Sequence, residues 1–345
     1  MSHITKIELE NYRPFLKASC RLSPFTLIVG ANNAGKSNLL RALSDASEYN
    51  ARGSRIAGFA NVRHHSTTDE ATASITIHWK DAAAPDADGW TQADADIADI
   101  FDRPVTLIVT GSEPLGSELR IYRLSPEKIG KAESRIAEPV VMEDGEGVSR
   151  LLDKWNSGAS ALRARFNAVV DALKRCVPEV KDLSFYDDNE GRRAIQVEQA
   201  GLSVPVPLKE LSDGTRLVLA ILTLVTQENP PPVLLLEDID RGLHPRLYEQ
   251  LVDFLRTLAA EGRTQIVTTT HDPYLIDEFR ETPEAVVIVE KKDGASTLSN
   301  LDERIERLRE MGADLEMPLG QVWFSGMVGG VPGPKLPEIF KSTAA

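Results

Sequence analysis

Two short runs carry the residue types and spacing that handle phosphate. The first, "GANNAGKS" (Gly30 to Ser37), fits G-x-x-x-x-G-K-[ST] and lies between the apolar run "FTLIVG" and the helically spaced "KSNLLRALSDA". That strand and helix context is what the motif requires. Gly30 and Gly35 permit a backbone turn whose N–H groups converge on an anion, and the following helix points its positive end at the same place. Lys36 would neutralise the β- and γ-phosphates of ATP, and the Ser37 hydroxyl would ligate magnesium. The candidate nucleotide-binding residues of this loop are Gly30, Asn32, Asn33, Ala34, Gly35, Lys36, Ser37 and Asn38.

The second run, "VLLLEDIDRGLHP" (Val233 to Pro245), sets four apolar residues before the adjacent acids Glu237 and Asp238. A phosphate loop needs a metal-positioning acid on a neighbouring strand, and ligands collect at the carboxyl ends of strands in open parallel sheets. Two acids in sequence suggest two tasks: Glu237 holds the hydrated metal, and Asp238 orients or deprotonates the attacking water. ATP and Mg2+ are the expected cofactors, with Ser37 and Glu237 as metal ligands.

The elements that must position these groups follow from hydropathy patterning. The first forty residues read as strand ("ITKIELENY"), turn, strand ("FTLIVG"), then helix. Between residues 50 and 145, "ATASITIHW", "PVTLIVTG" and "ELRIYRL" read as strands around the acidic, alanine-rich "DAAAPDADGWTQADADIADIFD", an expected loop with a short helix. From Val148 to Cys176 the apolar residues recur at helical intervals, with Gly158 as a break. "RRAIQVEQAGLSVPVPL" returns to short strands, "GTRLVLAILTLVTQE" is an apolar helix, and strands and helices alternate from Val233 onward. Such alternation indicates an α/β fold with a parallel sheet flanked by helices. Neither a sustained heptad pattern nor a solenoid repeat occurs.

Composition narrows the function classes. The 345 residues are 42% hydrophobic, enough for a sizeable core. No run approaches the roughly 18 apolar residues of a membrane span, and the N-terminus lacks the apolar core of a signal peptide, so a cytoplasmic location without a membrane partner is expected. A formal charge of −13 disfavours nucleic acid without excluding it, because phosphate would have to meet a local basic patch. The stretch Ala51 to His65 is either such a patch or a solvated loop. Cys20 and Cys176 match no metal or redox spacing.

In this order along the chain, "IELENYRPF", "GANNAGKS", "LSDGTRLVLA" (Leu211 to Ala220), "LLLEDIDRGLHP" and "QIVTTTHDPYLID" (Gln265 to Asp277) resemble the ABC-type ATPases of the RecF, OLD and SMC group. The likeness is strong over residues 1–45 and 205–290 and only general between them. It implies a P-loop NTPase head with a mixed N-terminal β lobe and a helical insertion lobe. The resemblance assigns Ser212 and Gly214 to the signature that closes over the γ-phosphate of a second subunit, which predicts a head-to-tail homodimer around two ATP molecules. It likens His271 to a switch histidine that reads the γ-phosphate, Asp240 to an acid crossing the dimer interface, and Arg13 to a basic position near the nucleotide, for which a surface ion pair is the alternative. His64 and His65 fall where a magnesium-sensing loop would lie.

The implied organisation is a single head over residues 1–310, made of 1–45, an inserted lobe over 46–204 and a segment over 205–300 that holds signature, acidic strand end and switch histidine. A tail covers 311–345, where Trp323, Phe324, Met327 and Val328 either anchor a partner or pack on the head itself. Relatives commonly read Asp-Glu or Glu-Glu followed by Pro-Glu where this chain has Glu-Asp-Ile-Asp, so the shorter Asp238 implies slow turnover. They also commonly have His-Ser-Pro where this chain has His-Asp-Pro.

The long interval between Ser37 and Leu211 argues against a transporter ATPase. Few residues follow Glu290 for an OLD-type nuclease domain, and coiled coils for an SMC arm are lacking. The resemblance leaves a standalone ATPase acting as sensor, scaffold or regulator of a separately encoded effector, a nuclease or toxin, in anti-phage defence. A RecF-like recombination and repair factor and a nucleotide-binding head without significant hydrolysis are the alternatives.

Overall fold

The computed structural model describes residues 3–52, 73–80, 105–110, 119–313 and 317–331. The acidic "DAAAPDADGWTQADADIADIFD" segment, His64 and His65, and most of the Ala51 to His65 stretch lie outside them.

The chain opens with β1 (His3–Tyr12), β2 (Phe15–Arg21) and β3 (Phe25–Gly30), then α1 (Lys36–Arg52), β4 (Ala73–Lys80), β5 (Val105–Thr110) and the two-residue β6 (Ile121–Tyr122). The strand–turn–strand–helix expectation therefore misses β2. "FLKASCR" has buried residues only at Phe15, Ala18 and Cys20, a weak pattern, but pairing with β1 completes an antiparallel hairpin through Tyr12 and Phe15. The lobe follows: α2 (Pro126–Ile129), α3 (Val148–Ser157), α4 (Ser160–Cys176), β7 (Val180–Asp187), β8 (Arg193–Gln199) and β9 (Val206–Pro207). Gly158 divides α3 from α4 as expected: its N–H caps α3 on the Trp155 carbonyl, and a Cβ there would come within 2.6 Å of Leu162. The remaining elements are α5 (Asp213–Val225), β10 (Val233–Leu236), α6 (Tyr248–Ala260), β11 (Gln265–Thr270), α7 (Pro273–Asp277), β12 (Val286–Lys292), β13 (Ala295–Asn300), α8 (Leu301–Glu310) and α9 (Leu319–Phe324).

Three sheets result. The central one has the order β13-β12-β3-β11-β10-β6, parallel throughout except for the antiparallel edge strand β13. The N-terminal sheet, β2-β1-β4-β5, is mixed, and β7-β8-β9 is a small antiparallel sheet in the lobe. Period-two alternation in the central strands explains the layering. Ile28, Val233, Leu235, Val267 and Val287 face one core, shared with Leu39, Leu40 and Leu43 of α1 and with Ile4, Ile7, Ile75 and Ile77 of the N-terminal sheet. Their neighbours Leu27, Val29, Leu234, Leu236, Ile266 and Ile288 face the other core, filled by α3 to α7. Helix α1 is thus held between two sheets, which fixes the phosphate loop at its start.

The described part of the tail, residues 317–331, packs on the head. Helix α9 packs on α7: the Gly320 N–H donates to Asp277 Oδ1 at 2.8 Å, and a Cβ at Gly320 would lie 2.1 Å from the Pro273 carbonyl oxygen. Trp323 and Val328 are buried in this chain's own core, whereas Phe324 and Met327 are exposed. Gly320→Val is expected to force α9 off α7 and lower stability by roughly 1–3 kcal/mol, the range for inserted bulk in packed interiors. Thermal unfolding with tryptophan fluorescence checks this; an unchanged midpoint and emission spectrum would mean that α9 does not dock.

Candidate active site

Because β3, β11, β10 and β6 run parallel, their carboxyl ends meet at one edge, where an open sheet presents ligand-binding loops. One expectation needs correction here. The acidic strand β10 does not neighbour the phosphate-loop strand β3; β11 lies between them, so its terminal residues Thr268, Thr269, Thr270 and His271 stand between lysine and acids.

The phosphate loop leaves β3 at Gly30, whose position against β12 admits no side chain: a Cβ would sit 2.3 Å from the Val289 carbonyl oxygen. Asn32 and Asn33 are exposed, with Asn33 in the left-handed region at φ 62°. Ala34 is buried and tied from both sides, its N–H to the Ala31 carbonyl at 3.2 Å and its carbonyl accepting from the Ser296 hydroxyl at 2.5 Å. Gly35, at φ 119°, faces Pro14 and Phe15 of the β1–β2 turn. Ser37 and Asn38 are half-buried in the first turn of α1.

Lys36 is only 6% exposed. Its ammonium donates to the carbonyls of Gly30 (2.9 Å) and Ala31 (3.3 Å) and to His271 Nδ1 (3.3 Å). A donor at Nδ1 assigns the ring proton to Nε2, which faces Asp238 Oδ1 at 4.0 Å. Burial, and then the Lys36 charge, lower the His271 pKa, consistent with a neutral ring in this tautomer. Asp238 sits in the left-handed region at φ 52°. Its N–H donates to Thr269 Oγ1 at 2.8 Å, and the same hydroxyl donates to Asp238 Oδ1 at 3.1 Å.

The two expected metal ligands are brought together from distant parts of the chain: Ser37 Oγ hydrogen-bonds Glu237 Oε1. The other oxygen of Glu237 accepts from Arg123 Nε, at the end of β6, whose Tyr122 carbonyl takes the Glu237 N–H at 2.9 Å. Arg123 escaped the sequence reading because "ELRIYRL" registers only as a strand; the one available signal was a basic residue at that strand's carboxyl end. Among the described residues no three His, Cys, Asp or Glu side chains form a metal cage. The hard oxygens of Ser37 and Glu237 fit magnesium, which is typically bound by one or two protein oxygens together with phosphate and water.

Asp240 is half-buried in this protomer's own site. Burial raises its pKa, with Asp238 and Asp272 adding repulsion, and its Oδ1 lacks a hydrogen-bond partner. Asp272, the departure from the relatives' serine, has a structural explanation: Oδ1 caps α7 through the Tyr274 N–H (2.8 Å), and Oδ2 accepts from the Tyr248 hydroxyl (2.7 Å) of α6. Arg13 turns to α1 through an ion pair with Asp45 (3.6 Å) and a bond from its Nε to Tyr12 Oη (3.0 Å).

The contacts of Ser212 and Gly214 run elsewhere than to the phosphate loop. Ser212 caps α5 through the Thr215 N–H and hydroxyl. Gly214 packs so closely on the loop after β10 that a Cβ would come within 2.7 Å of the Gly242 carbonyl oxygen. Ser212 also lines a cavity of about 370 Å³ with Thr215, Leu211, His244 and Arg246.

Burial lowers the Lys36 pKa from 10.5 to about 8, despite the opposing pull of Asp238 and Asp240. The unfolded chain therefore binds this proton more tightly than the folded one. Below about pH 8 both states are protonated and the full penalty opposes folding; it fades as pH rises from the folded value toward the unfolded one. Lys36→Met is expected to be more stable than the parent at pH 7 without nucleotide, with an advantage that shrinks between those two pKa values. Urea titrations at several pH values measure it; a difference that did not change with pH would contradict the assignment.

Comparisons with known proteins bear on the sequence family and the fold. A family model described as "AAA domain, putative AbiEii toxin, Type IV TA system" matches residues 138–277, and one described as "AAA ATPase domain" matches residues 3–101. A "Putative ABC transporter ATP-binding protein" of Streptomyces avermitilis is 44% identical over 71 residues, and one of Streptomyces coelicolor is 41% identical over 79 residues. The matched segments span 21% and 23% of this chain, but only 12% and 14% of those proteins. In fold, the chain is similar to an SMC head bound to the C-terminal winged-helix domain of ScpA (TM-score 0.54, 18% identity, covering 88% of this chain and 99% of that one). It is also similar to the head domain with coiled coil and joint derived from Pyrococcus yayanosii (TM-score 0.52, 12% identity, covering 91% of this chain and 100% of that one). With the phosphate loop, the acidic strand end and this head fold in one chain, the protein has a P-loop ATPase fold of the ABC-type, SMC-like kind, and its residues 3–101 and 138–277 match AAA ATPase-domain families.

Proposed function

We propose that the protein binds Mg·ATP at the edge formed by β3, β11 and β10 and hydrolyses it slowly, with the nucleotide state controlling a homodimer and, through it, a separately encoded effector. The observation that carries this reading is the linked pair of contacts, Ser37 to Glu237 and Lys36 through His271 to Asp238. The first supplies hard oxygens for a cation, and the second sets a neutral imidazole between the phosphate-binding lysine and a carboxylate.

The residues take the following roles. Backbone N–H groups of residues 30–37 and the start of α1 receive the phosphates, and Lys36 gains in them an anionic partner that raises its pKa again. Magnesium, when bound, supplies charge neutralisation across the phosphate oxygens, with Ser37 and Glu237 as its protein ligands. Asp238 accepts a hydrogen bond or proton from the attacking water, and His271 Nε2–H orients that carboxylate. Ser212 and Gly214, at the start of α5, serve the γ-phosphate on the partner protomer, where the helix dipole favours an anion. Asp240 and Arg13 hold the surroundings of the phosphate loop.

The effector reading is supported by the family description over residues 138–277, which names a toxin system. The net charge of −13 sets the RecF-like DNA-clamping reading behind it. One observation favours the non-hydrolysing alternative: Arg123 occupies one oxygen of Glu237. Phosphate release decides between the two.

Asp238→Asn is expected to lower kcat by about 100-fold or more, the usual contribution of a positioned base, while leaving ATP binding intact, so that the dimer accumulates. Light-scattering mass measured with and without Mg·ATP is expected to double with nucleotide and to stay doubled longest in the variant. A parent protein whose mass ignores nucleotide, or a variant that turns over at the parent rate, would contradict the reading.

A further inference from the structure

Strand β11 ends in three consecutive threonines, Thr268, Thr269 and Thr270, each no more than 1% exposed. Successive side chains of a strand face opposite sides, so a run of three buried hydroxyls cannot serve one surface. Valine would fill the same space with equal strand preference, and a buried hydroxyl costs free energy unless it is bonded. All three are bonded. Thr268 Oγ1 donates to the Leu236 carbonyl at 3.0 Å, at the last residue of β10. Thr270 Oγ1 accepts from the Asp272 N–H at 3.0 Å. Thr269 differs in making both its bonds with a single residue, Asp238.

A non-glycine residue in the left-handed region is strained and persists only where its surroundings hold it there. Asp238, at φ 52°, is such a residue. The Thr269 hydroxyl takes its N–H at 2.8 Å and gives a proton to its Oδ1 at 3.1 Å, which fixes main chain and carboxylate at once. The Asp238 side chain is otherwise 44% exposed and would be free to rotate away from His271. The place of β11 between β3 and β10 makes this possible, since it sets Thr269 directly beside the acid loop that follows β10.

We propose that Thr269 is a positioning residue for ATP hydrolysis: its single hydroxyl clamps Asp238 in the left-handed conformation that turns the carboxylate toward His271 and the attacking water. The proposal rests on the reading of Asp238 as the water-orienting acid. Thr269 is buried behind Asp238 and bonds it alone through its hydroxyl, so its removal is expected to act on rate and to spare nucleotide affinity.

The test is a double-mutant cycle on the full chain, with phosphate release and ATP affinity measured separately. Thr269→Val is expected to lower kcat by about 10–100-fold, the scale of a misplaced catalytic group, with Kd for ATP changed less than about threefold. Thr269→Ser keeps the hydroxyl and is expected to retain most of the parent rate. In the Asp238→Asn background, Thr269→Val is expected to cost no further activity. Should the valine variant fail to fold, Thr269→Ala carries the same expectations. Losses that multiply in the double variant, or a serine variant as slow as the valine one, would overturn the proposal. If Asp238→Asn alone leaves kcat unchanged, the underlying reading of Asp238 fails, and that outcome is distinct from a failure of the clamp.

Discussion

Lys36 is a buried ammonium with two backbone carbonyls and an imidazole nitrogen for partners, and among the described residues no carboxylate pairs with it directly. A charge held out of water in this way is costly unless something of opposite sign arrives. Asp238 and Asp240 are close enough to be felt, yet neither pairs with it; Asp238 is held by Thr269, Glu237 by Ser37 and Arg123, and Asp272 by Tyr248 and the start of α7. A buried ammonium of this kind is a binding group for an anion. A triphosphate accompanied by a divalent cation satisfies the lysine and the exposed carboxylates together, which neither ion would do alone.

The rest of the fold keeps that arrangement from relaxing. Helix α1 cannot move to shield Lys36, because Leu39, Leu40 and Leu43 are locked between the N-terminal sheet and the central one. The loop in front of it is pinned by the approach of Gly30 to β12 and by the Ser296 bond to Ala34. On the far side, α7 begins two residues after His271 and is itself held by Asp272, Tyr248 and α9. Motion of the histidine would thus be felt in the C-terminal segment, through rigid contacts on a short path.

Much of the site was legible because its chemistry is written in contiguous strings. The phosphate loop, the paired acids and the histidine after a threonine strand each announce themselves, and their parallel strand ends are brought to one edge as the α/β reading implies. What sequence could not supply was order across the sheet. Strand alternation does not say that β11 separates β3 from β10, and so the part played by Thr269 was invisible. Arg123 was hidden for a related reason, since it lies far along the chain from its partner Glu237, just after a two-residue strand with little patterning. Asp272 stood in the sequence only as a departure from the relatives' His-Ser-Pro, whereas its two bonds to α6 and α7 make it a brace. For the tail, composition left partner docking and packing on the head both open; the close approach of Gly320 to Pro273, which packs α9 on α7, could not be read from it.

The central claim is that this edge of the sheet is an ATP-hydrolysing site built on Lys36, Ser37 and Glu237. Phosphate release by the purified full chain, followed over many turnovers with and without Mg2+, beside Glu237→Gln, tests it most directly. The account predicts slow release that continues beyond one phosphate per chain, requires Mg2+ and is lost in the variant. Release that is absent from the parent protein, or equal in Glu237→Gln, would contradict it.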